Sequence, residues 1–226
     1  MRTVRALLSS VPEKTRDSAK GASYSGRGGR LFMEMPVRDS FVSSRFGTAR
    51  GLVRLMLAHG EVLSGLGAIR PGDPGAIRRL VFVCHGNICR SAYAEALAHE
   101  AGMAAISFGL STTTGKPAHP PLAALAAMRG HDLSAHRATA QEEYEPREGD
   151  LLLAMETRHL RVLARHPRFG GLPRTLLGLH ASPRTPHLHD PYGLSEAYML
   201  TCLRRIEGTV PALRRLYAGA VAAALP

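Results

Sequence analysis

Cysteine is scarce in this chain, with three residues among 226, and no apolar run is long enough to suggest a membrane span. Three cysteines cannot form the multiple disulfides that stabilise small secreted proteins. The basic start of the chain is not followed by the apolar segment that a secretory signal requires. The composition therefore argues against a disulfide-rich secreted protein and against a transmembrane protein, and we expect the reducing cytoplasm as its location.

Acidic residues are also few, with 18 Asp and Glu against 29 Lys and Arg, for a net charge of +11. Such an excess suggests an anionic partner, which is a nucleic acid, a membrane surface or a phosphorylated substrate. Residues 1–78 hold 13 of the basic residues and only 6 of the acidic ones. No aromatic residues are interleaved with this charge in the manner of base-stacking proteins, so we expect no nucleic-acid partner.

The length and the apolar content of 45% predict one substantial core with extra segments. Residues 1–35, rich in Arg, Ser and Gly, are predicted to be a disordered basic tail, and Met33 or Met35 is an alternative start site. Residues 36–78 form an N-terminal extension whose last part, "RPGDPG" at 70–75, is a predicted linker.

A helix is predicted within this extension, over residues 48–66. Its apolar stripe consists of Leu52, Leu55, Met56, Leu63 and Leu66. We expect this helix to dock on the main domain, and contact with a membrane surface or a partner helix is the alternative.

Beyond residue 78 the pattern alternates between strands and helices. Strands are predicted at 80–84, 105–108, 151–154 and 175–179, and helices at 89–101, 119–129, 157–165 and 194–218. This alternation predicts an α/β fold with a small parallel sheet of about four strands and helices on both faces. Its ligand site is expected beyond the carboxyl ends of the strands.

The stretch "VFVCHGNICRSAYAE" at 81–95 lies at that edge. Cys84 ends the first strand, and Arg90 and Ser91 begin the next helix, so loop amides and the helix N-terminus can surround one anion. Such a site favours a nucleophilic thiolate at Cys84, to which the Ser91 hydroxyl can donate a hydrogen bond. The Arg90 fork suits two phosphate oxygens, Gly86 permits close approach, and Asn87 tolerates a left-handed backbone.

Other interpretations of the stretch are a buried strand cysteine beside a surface arginine, a zinc site, and a phosphate-binding site without catalysis. A zinc site would need further ligands, and Cys202 in a helical region does not supply a second cysteine pair.

At this point the sequence resembles the low-molecular-weight protein tyrosine phosphatase family, whose loop has the form Cys-x5-Arg-Ser. The resemblance extends over residues 79–218, through "SFGL", "GKPAHP", "GHDLSAHRA", "DLLLAMETRHL" and "HDPYG". It implies a phosphatase domain at 79–226 that hydrolyses protein phosphotyrosine through a cysteinyl-phosphate, without a metal or other cofactor. The forms "METRH" and "GKPA" are closer to bacterial members that act on tyrosine kinases of polysaccharide export, which suggests such a kinase as partner.

The resemblance also implies roles for particular residues. Asp190 of "DPYG" would be the general acid and base, and Tyr192 would stack on the substrate ring. Ser107 and His136 would hold Asn87 in place. The residues expected to surround the phosphate or the ring besides Tyr192 are His85, Gly86, Asn87, Ile88, Cys89 and Ser91.

Cys89 has a further implied role, as the redox partner that protects Cys84 through a reversible disulfide. A small apolar filler at the start of the helix is the alternative.

The sequence also departs from the family pattern. Ala92 replaces a frequent proline, and Gly193 replaces a second tyrosine found in animal members. Two other enzymes share the fold: an arsenate reductase would need more cysteines than Cys202 supplies, and protein arginine phosphatases favour threonine where this chain has Ile88.

Overall fold

A computed structural model describes residues 41–222 of the chain, and the tail predicted at 1–35 lies outside these residues. The strands of the sheet are β1 Arg79–Cys84, β2 Ala105–Gly109, β3 Asp150–Ala154 and β4 Arg174–Leu176. They are parallel and lie in the order β2-β1-β3-β4. The predicted α/β fold with a four-stranded parallel sheet is confirmed.

Strand β1 lies inside the sheet and is buried on both faces, because its side chains alternate between two apolar cores. Leu80, Phe82 and Cys84 belong to one core, while Val81 and Val83 belong to the other. Its last residue, Cys84, lies at the carboxyl ends of the parallel strands, where the loops that follow them can form a site.

The helices after β1 are α3 Arg90–Glu100, α4 Pro120–Met128, α5 Thr157–Arg165, α6 Glu196–Glu207, α7 Val210–Leu216 and α8 Ala218–Ala222, which follow α1 Phe41–Phe46 and α2 Ala49–Leu63. Helices α3 and α6 contribute to the core that contains Phe82, and α5 contributes to the core that contains Val83. The sheet thus has helices on both faces, as the alternation of the sequence predicts.

Two predicted boundaries are wrong. The segment 194–218 is not one helix but holds α6, α7 and the first residue of α8, because α6 ends at its C-cap Gly208 and Pro211 lies in the first turn of α7, where proline is tolerated. Strand β4 ends at Leu176, two residues after it begins, and residues 177–180 form a 3₁₀ turn instead of continuing the strand.

The N-terminal extension packs on the rest of the described chain through small residues. In α2, Gly51 and Ala58 are buried and Val62 packs against the core, whereas Met56 and Leu63 are 68% and 87% exposed. The expectation that the large apolar stripe is the docked face is therefore wrong for these two residues and for Leu66, which is also exposed. Small side chains allow a closer approach of the helix than the large ones would.

The predicted linker contains local structure. Arg70 pairs with Arg174 of β4 through two backbone hydrogen bonds of 2.9 and 2.7 Å, and Pro74–Ala76 forms a 3₁₀ turn. Within residues 41–222, no helix has the length and apolarity needed to cross a membrane.

Candidate active site

The loop at residues 85–89 joins β1 to α3 and bends around the sulfur of Cys84. Asn87 has a φ of 52°, the left-handed conformation that its residue type tolerates. Its backbone N–H donates to Cys84 Sγ over 3.1 Å, and Ser91 Oγ lies 2.9 Å from the same sulfur. The sulfur thus lies within hydrogen-bonding distance of two groups, one from the loop backbone and one from the first turn of α3.

The side chain of Asn87 fixes this loop to the elements around it. Its amide nitrogen donates to Ser91 Oγ at 2.9 Å and to Ser107 Oγ at 2.6 Å, and its amide oxygen accepts from the N–H of Thr139 at 2.7 Å. His136 Nε2 lies 2.7 Å from the Asn87 carbonyl oxygen. Because Ser91 Oγ accepts from Asn87, its hydroxyl proton is free to point at Cys84. The structure therefore brings Ser107 and His136 to Asn87, as the family resemblance implies.

Arg90 is buried beneath the loop, with 1% of its side chain exposed. Its Nη1 donates to Glu156 Oε1 at 2.6 Å and to the Leu188 carbonyl oxygen at 2.7 Å, and its Nη2 lies 2.9 Å from Asp190 Oδ2. Its Nε has no protein acceptor among the described residues. Nη1 thus anchors the guanidinium and Nη2 meets Asp190 with one N–H, so the Nε–H and the second N–H of Nη2 remain to meet an anion.

Glu156 is a residue of this site that the sequence did not reveal. It follows β3 at the same edge of the sheet, is 1% exposed, and also accepts a hydrogen bond from Arg158 at 2.9 Å. Its place just after a buried strand is the signal that could have identified it.

Burial and neighbouring charges shift the pKa values of Arg90 and Glu156 in opposite directions. Burial opposes the charge of Arg90, but Asp190 and Glu156 outweigh it and raise the pKa of the guanidinium. Burial would likewise raise the pKa of Glu156, but Arg90, followed by His159 and Arg158, lowers it well below its usual range. Both groups are therefore charged at neutral pH, and each depends on the other for compensation.

Asp190 and Tyr192 stand at the mouth of a cleft of about 260 Å³. The Asp190 side chain is 32% exposed, so it faces the opening of the cleft and is reached by solvent. Tyr192 is 61% exposed, and its ring centroid lies 4.8 Å from that of His119. The N–H of His119 also donates to the Ile88 carbonyl oxygen at 2.8 Å. His119, which the sequence did not mark as a site residue, therefore contacts both walls of the cleft.

The cleft contains every loop residue of the predicted set except Ser91, which lies buried behind Cys84. Its lining comprises Cys84, His85, Gly86, Asn87, Ile88, Cys89, Arg90, Ser111, Thr112, Lys116, Asp190 and Tyr192. Ser111, Thr112 and Lys116 are members that the sequence did not reveal. Among residues 41–222, no three His, Cys, Asp or Glu side chains are grouped to hold a metal ion.

Cys89 is a buried free thiol at the N-cap of α3. Burial, together with the charges of Asp190 and Cys84, raises the pKa of this thiol, so it is protonated at neutral pH. Burial raises the pKa of Cys202 to about 12. The disulfide between Cys84 and Cys89 stays a prediction.

Comparison with known proteins agrees with this geometry. Residues 79–221 match the family model described as low molecular weight phosphotyrosine protein phosphatase. The chain belongs to this family. As a family member, it has its loop, its buried arginine and its Asp-Pro segment all inside the matched residues, while α1 and α2 lie outside them.

Individual relatives extend this finding. A probable low molecular weight protein-tyrosine-phosphatase, EpsP of Ralstonia solanacearum, is 39% identical over 94 residues, 40% of this chain and 65% of EpsP. The chain thus spans just under two thirds of that relative. The low molecular weight protein tyrosine phosphatase of T. tengcongensis has a TM-score of 0.52 at 30% identity, covering 61% of this chain and 98% of that one. The YwlE arginine phosphatase of Geobacillus stearothermophilus shares the fold, with a TM-score of 0.54 at 24% identity, covering 61% of this chain and 91% of that one.

Proposed function

We propose that this protein hydrolyses phosphotyrosine in proteins through a cysteinyl-phosphate intermediate. The observation that carries the proposal is the convergence of Cys84, Arg90 and Asp190 on one cleft at the N-terminus of α3. A thiolate, an oriented guanidinium and an acid at the mouth are the three groups that phosphoryl transfer to sulfur requires.

The phosphoryl group would bind with its oxygens toward the loop amides and Arg90. Because Nη1 is engaged by Glu156 and Leu188, and one N–H of Nη2 by Asp190, the Nε–H and the second N–H of Nη2 are the donors that would hold two oxygens. The Cys84 sulfur would then attack phosphorus in line with the departing phenolate, and Ser91 would stabilise the thiolate beforehand through its hydroxyl proton.

In the first step a sulfur–phosphorus bond forms and the bond between phosphorus and the tyrosine oxygen breaks. Asp190, entering as the carboxylic acid, gives its proton to the phenolate. In the second step a water attacks phosphorus, the Asp190 carboxylate takes its proton, and the sulfur–phosphorus bond breaks. The products are inorganic phosphate and the Cys84 thiolate, so the site returns to its starting state.

The walls of the cleft support an aromatic leaving group. Ile88 is apolar and Tyr192 offers an exposed ring, so together they suit the phenyl ring of phosphotyrosine better than a charged guanidine. We further propose that the substrate is a phosphoprotein such as a bacterial tyrosine kinase of polysaccharide export, on the strength of "METRH", "GKPA" and the likeness to EpsP.

The test is metal-free hydrolysis of matched phosphotyrosine, phosphoserine and phosphoarginine peptides by the full chain. We expect phosphate release from phosphotyrosine alone, abolished in Cys84→Ala and kept in Cys202→Ala, which removes a buried thiol outside the cleft lining. A preference for phosphoarginine, or turnover that survives Cys84→Ala, would contradict the proposal.

A further inference from the structure

We propose that the start of helix α2 positions the general-acid segment, with Thr48 as the positioning residue that acts through His189. The inference rests on the role proposed above for Asp190, the residue after His189. It assigns a task to α2, which lies outside the residues that match the family model.

The contact itself joins the start of α2 to the segment that carries Asp190. Thr48 Oγ1 lies 3.2 Å from His189 Nε2, within hydrogen-bonding distance. The same oxygen caps α2 by accepting from the N–H of Gly51 at 2.9 Å. The helix cap and the histidine contact thus share one side chain, so the position of His189 is tied to the position of the helix.

His189 fits closely between α2 and α6. A Cβ atom added at Gly47 or at Gly51 would lie 2.8 or 2.9 Å from His189 Cδ2, closer than side-chain carbons approach. Gly47 also has a φ of 77°, which a larger residue would rarely adopt. On the other side, Tyr198 of α6 donates its hydroxyl to the His189 carbonyl oxygen at 3.2 Å. The two glycines therefore leave room for this ring and hold it in one place.

The other end of the segment is attached to the catalytic arginine. The Leu188 carbonyl oxygen accepts from Arg90 Nη1 at 2.7 Å, and Asp190 Oδ2 meets Arg90 Nη2 at 2.9 Å. Residues 188–190 thus contact Arg90 through Leu188 and Asp190, and contact Thr48 through His189. Loss of the Thr48 contact would keep the hydrogen bond from Arg90 to the Leu188 carbonyl oxygen but would release residue 189, so the Asp190 carboxyl next to it could shift relative to both Arg90 and the leaving oxygen.

The ring of His189 is neutral at pH 7. Burial lowers its pKa, Glu156 and Asp190 raise it, and Arg90 and Arg54 lower it. A neutral ring adds no charge beside Arg90 and Asp190, so it can hold the segment without competing with their ion pair.

Misplacement of an acid has a specific kinetic signature. A basic leaving group such as phenolate needs the proton, whereas an acidic one departs without it, so a misplaced acid slows only substrates with basic leaving groups. A displacement of about 1 Å can cost about 10² in rate. A general loss of folding or of phosphate binding would instead slow all substrates equally.

The experiment measures kcat/KM for a series of aryl phosphates that runs from phenyl phosphate to 2,4-dinitrophenyl phosphate. For Thr48→Val we expect a loss of about 10- to 100-fold on phenyl phosphate and less than about 2-fold on the dinitrophenyl ester. Thr48→Ser, which keeps the hydroxyl, should restore the wild-type dependence on the leaving group. Asp73→Ala is the matched control, because it removes a side-chain cap in the same extension without contacting residues 188–190.

Equal losses on all substrates, or none, in Thr48→Val would overturn the inference, as would failure of Thr48→Ser to restore the dependence. If the wild type hydrolyses no aryl phosphate, the proposed function fails instead, so the two failures are distinguishable.

Discussion

Removal of the Glu156 carboxylate is the change that most directly probes how Arg90 is held. In the wild type, Glu156 Oε1 meets Arg90 Nη1 at 2.6 Å with both side chains 1% exposed. Glu156→Ala leaves the buried guanidinium with the Leu188 carbonyl and a partly exposed Asp190 as its remaining partners. The arginine would then lose both a charge partner and the contact that orients it.

The expected size of the effect follows from the burial of the pair. Breaking a buried ion pair by removal of one partner costs about 3–5 kcal/mol. For a domain of this size each kcal/mol shifts Tm by about 2–4 °C, so we expect a decrease of roughly 6–20 °C. Misorientation of the Arg90 fork should also lower kcat/KM on a phosphotyrosine peptide by about 10².

The assay combines thermal unfolding, which gives Tm, and urea unfolding, which gives the free energy, with the inhibition constant for inorganic phosphate, which reports on the Arg90 fork without chemistry. Glu61→Gln is the matched control, since Glu61 lies beside Glu156 in the same groove but pairs with Arg161 at 3.6 Å. Wild-type stability together with an unchanged phosphate inhibition constant in Glu156→Ala would refute the reasoning.

Three further predictions concern other parts of the site. Asp190→Asn should lower kcat on phosphotyrosine by about 10²–10⁴ while phosphate still binds, and full activity on this basic leaving group would contradict the acid role. His119→Ala should raise KM for a phosphotyrosine peptide more than it lowers kcat, because Tyr192 loses the ring at 4.8 Å that supports it. An unchanged KM would contradict this supporting role of His119. Burial lowers the pKa of His187 to about 4, so the unfolded chain takes up a proton first as the pH falls below about 6.5. The free energy of unfolding that the neutral His187 ring contributes above that pH should therefore fall by about 2 kcal/mol at pH 5. Urea unfolding should accordingly show a smaller difference between pH 7 and pH 5 in His187→Asn than in the wild type.

The part of the site that the sequence predicts well is built from residues close together in the chain. Cys84, Arg90 and Ser91 lie on one strand–loop–helix unit, so their spacing alone implies convergence on an anion. Asp190 was reachable only through the family resemblance, because its Asp-Pro segment is otherwise an ordinary turn.

Contacts between distant segments could not be predicted in this way. Glu156 lies 66 positions from Arg90, and the Leu188 carbonyl is 98 positions away. Their convergence depends on how β3 and the segment after β4 meet at one edge of the sheet, which no local pattern encodes.

The docking face of α2 was mispredicted for a related reason. The apolar stripe gives weight to large side chains such as Met56 and Leu63, whereas close packing against His189 selects Gly51. A small residue contributes little to hydrophobic periodicity but allows two elements to approach, and only the tertiary structure shows where that matters.

The most direct test of the account is capture of the covalent intermediate. The full chain would be mixed with a ³²P-labelled phosphotyrosine peptide, quenched within one turnover, digested and mapped by mass spectrometry. The account predicts label on the fragment that contains Cys84, bonded to sulfur, and no labelled fragment from Cys84→Ala. Turnover of the peptide with label on another residue, or with none at any time point, would contradict it.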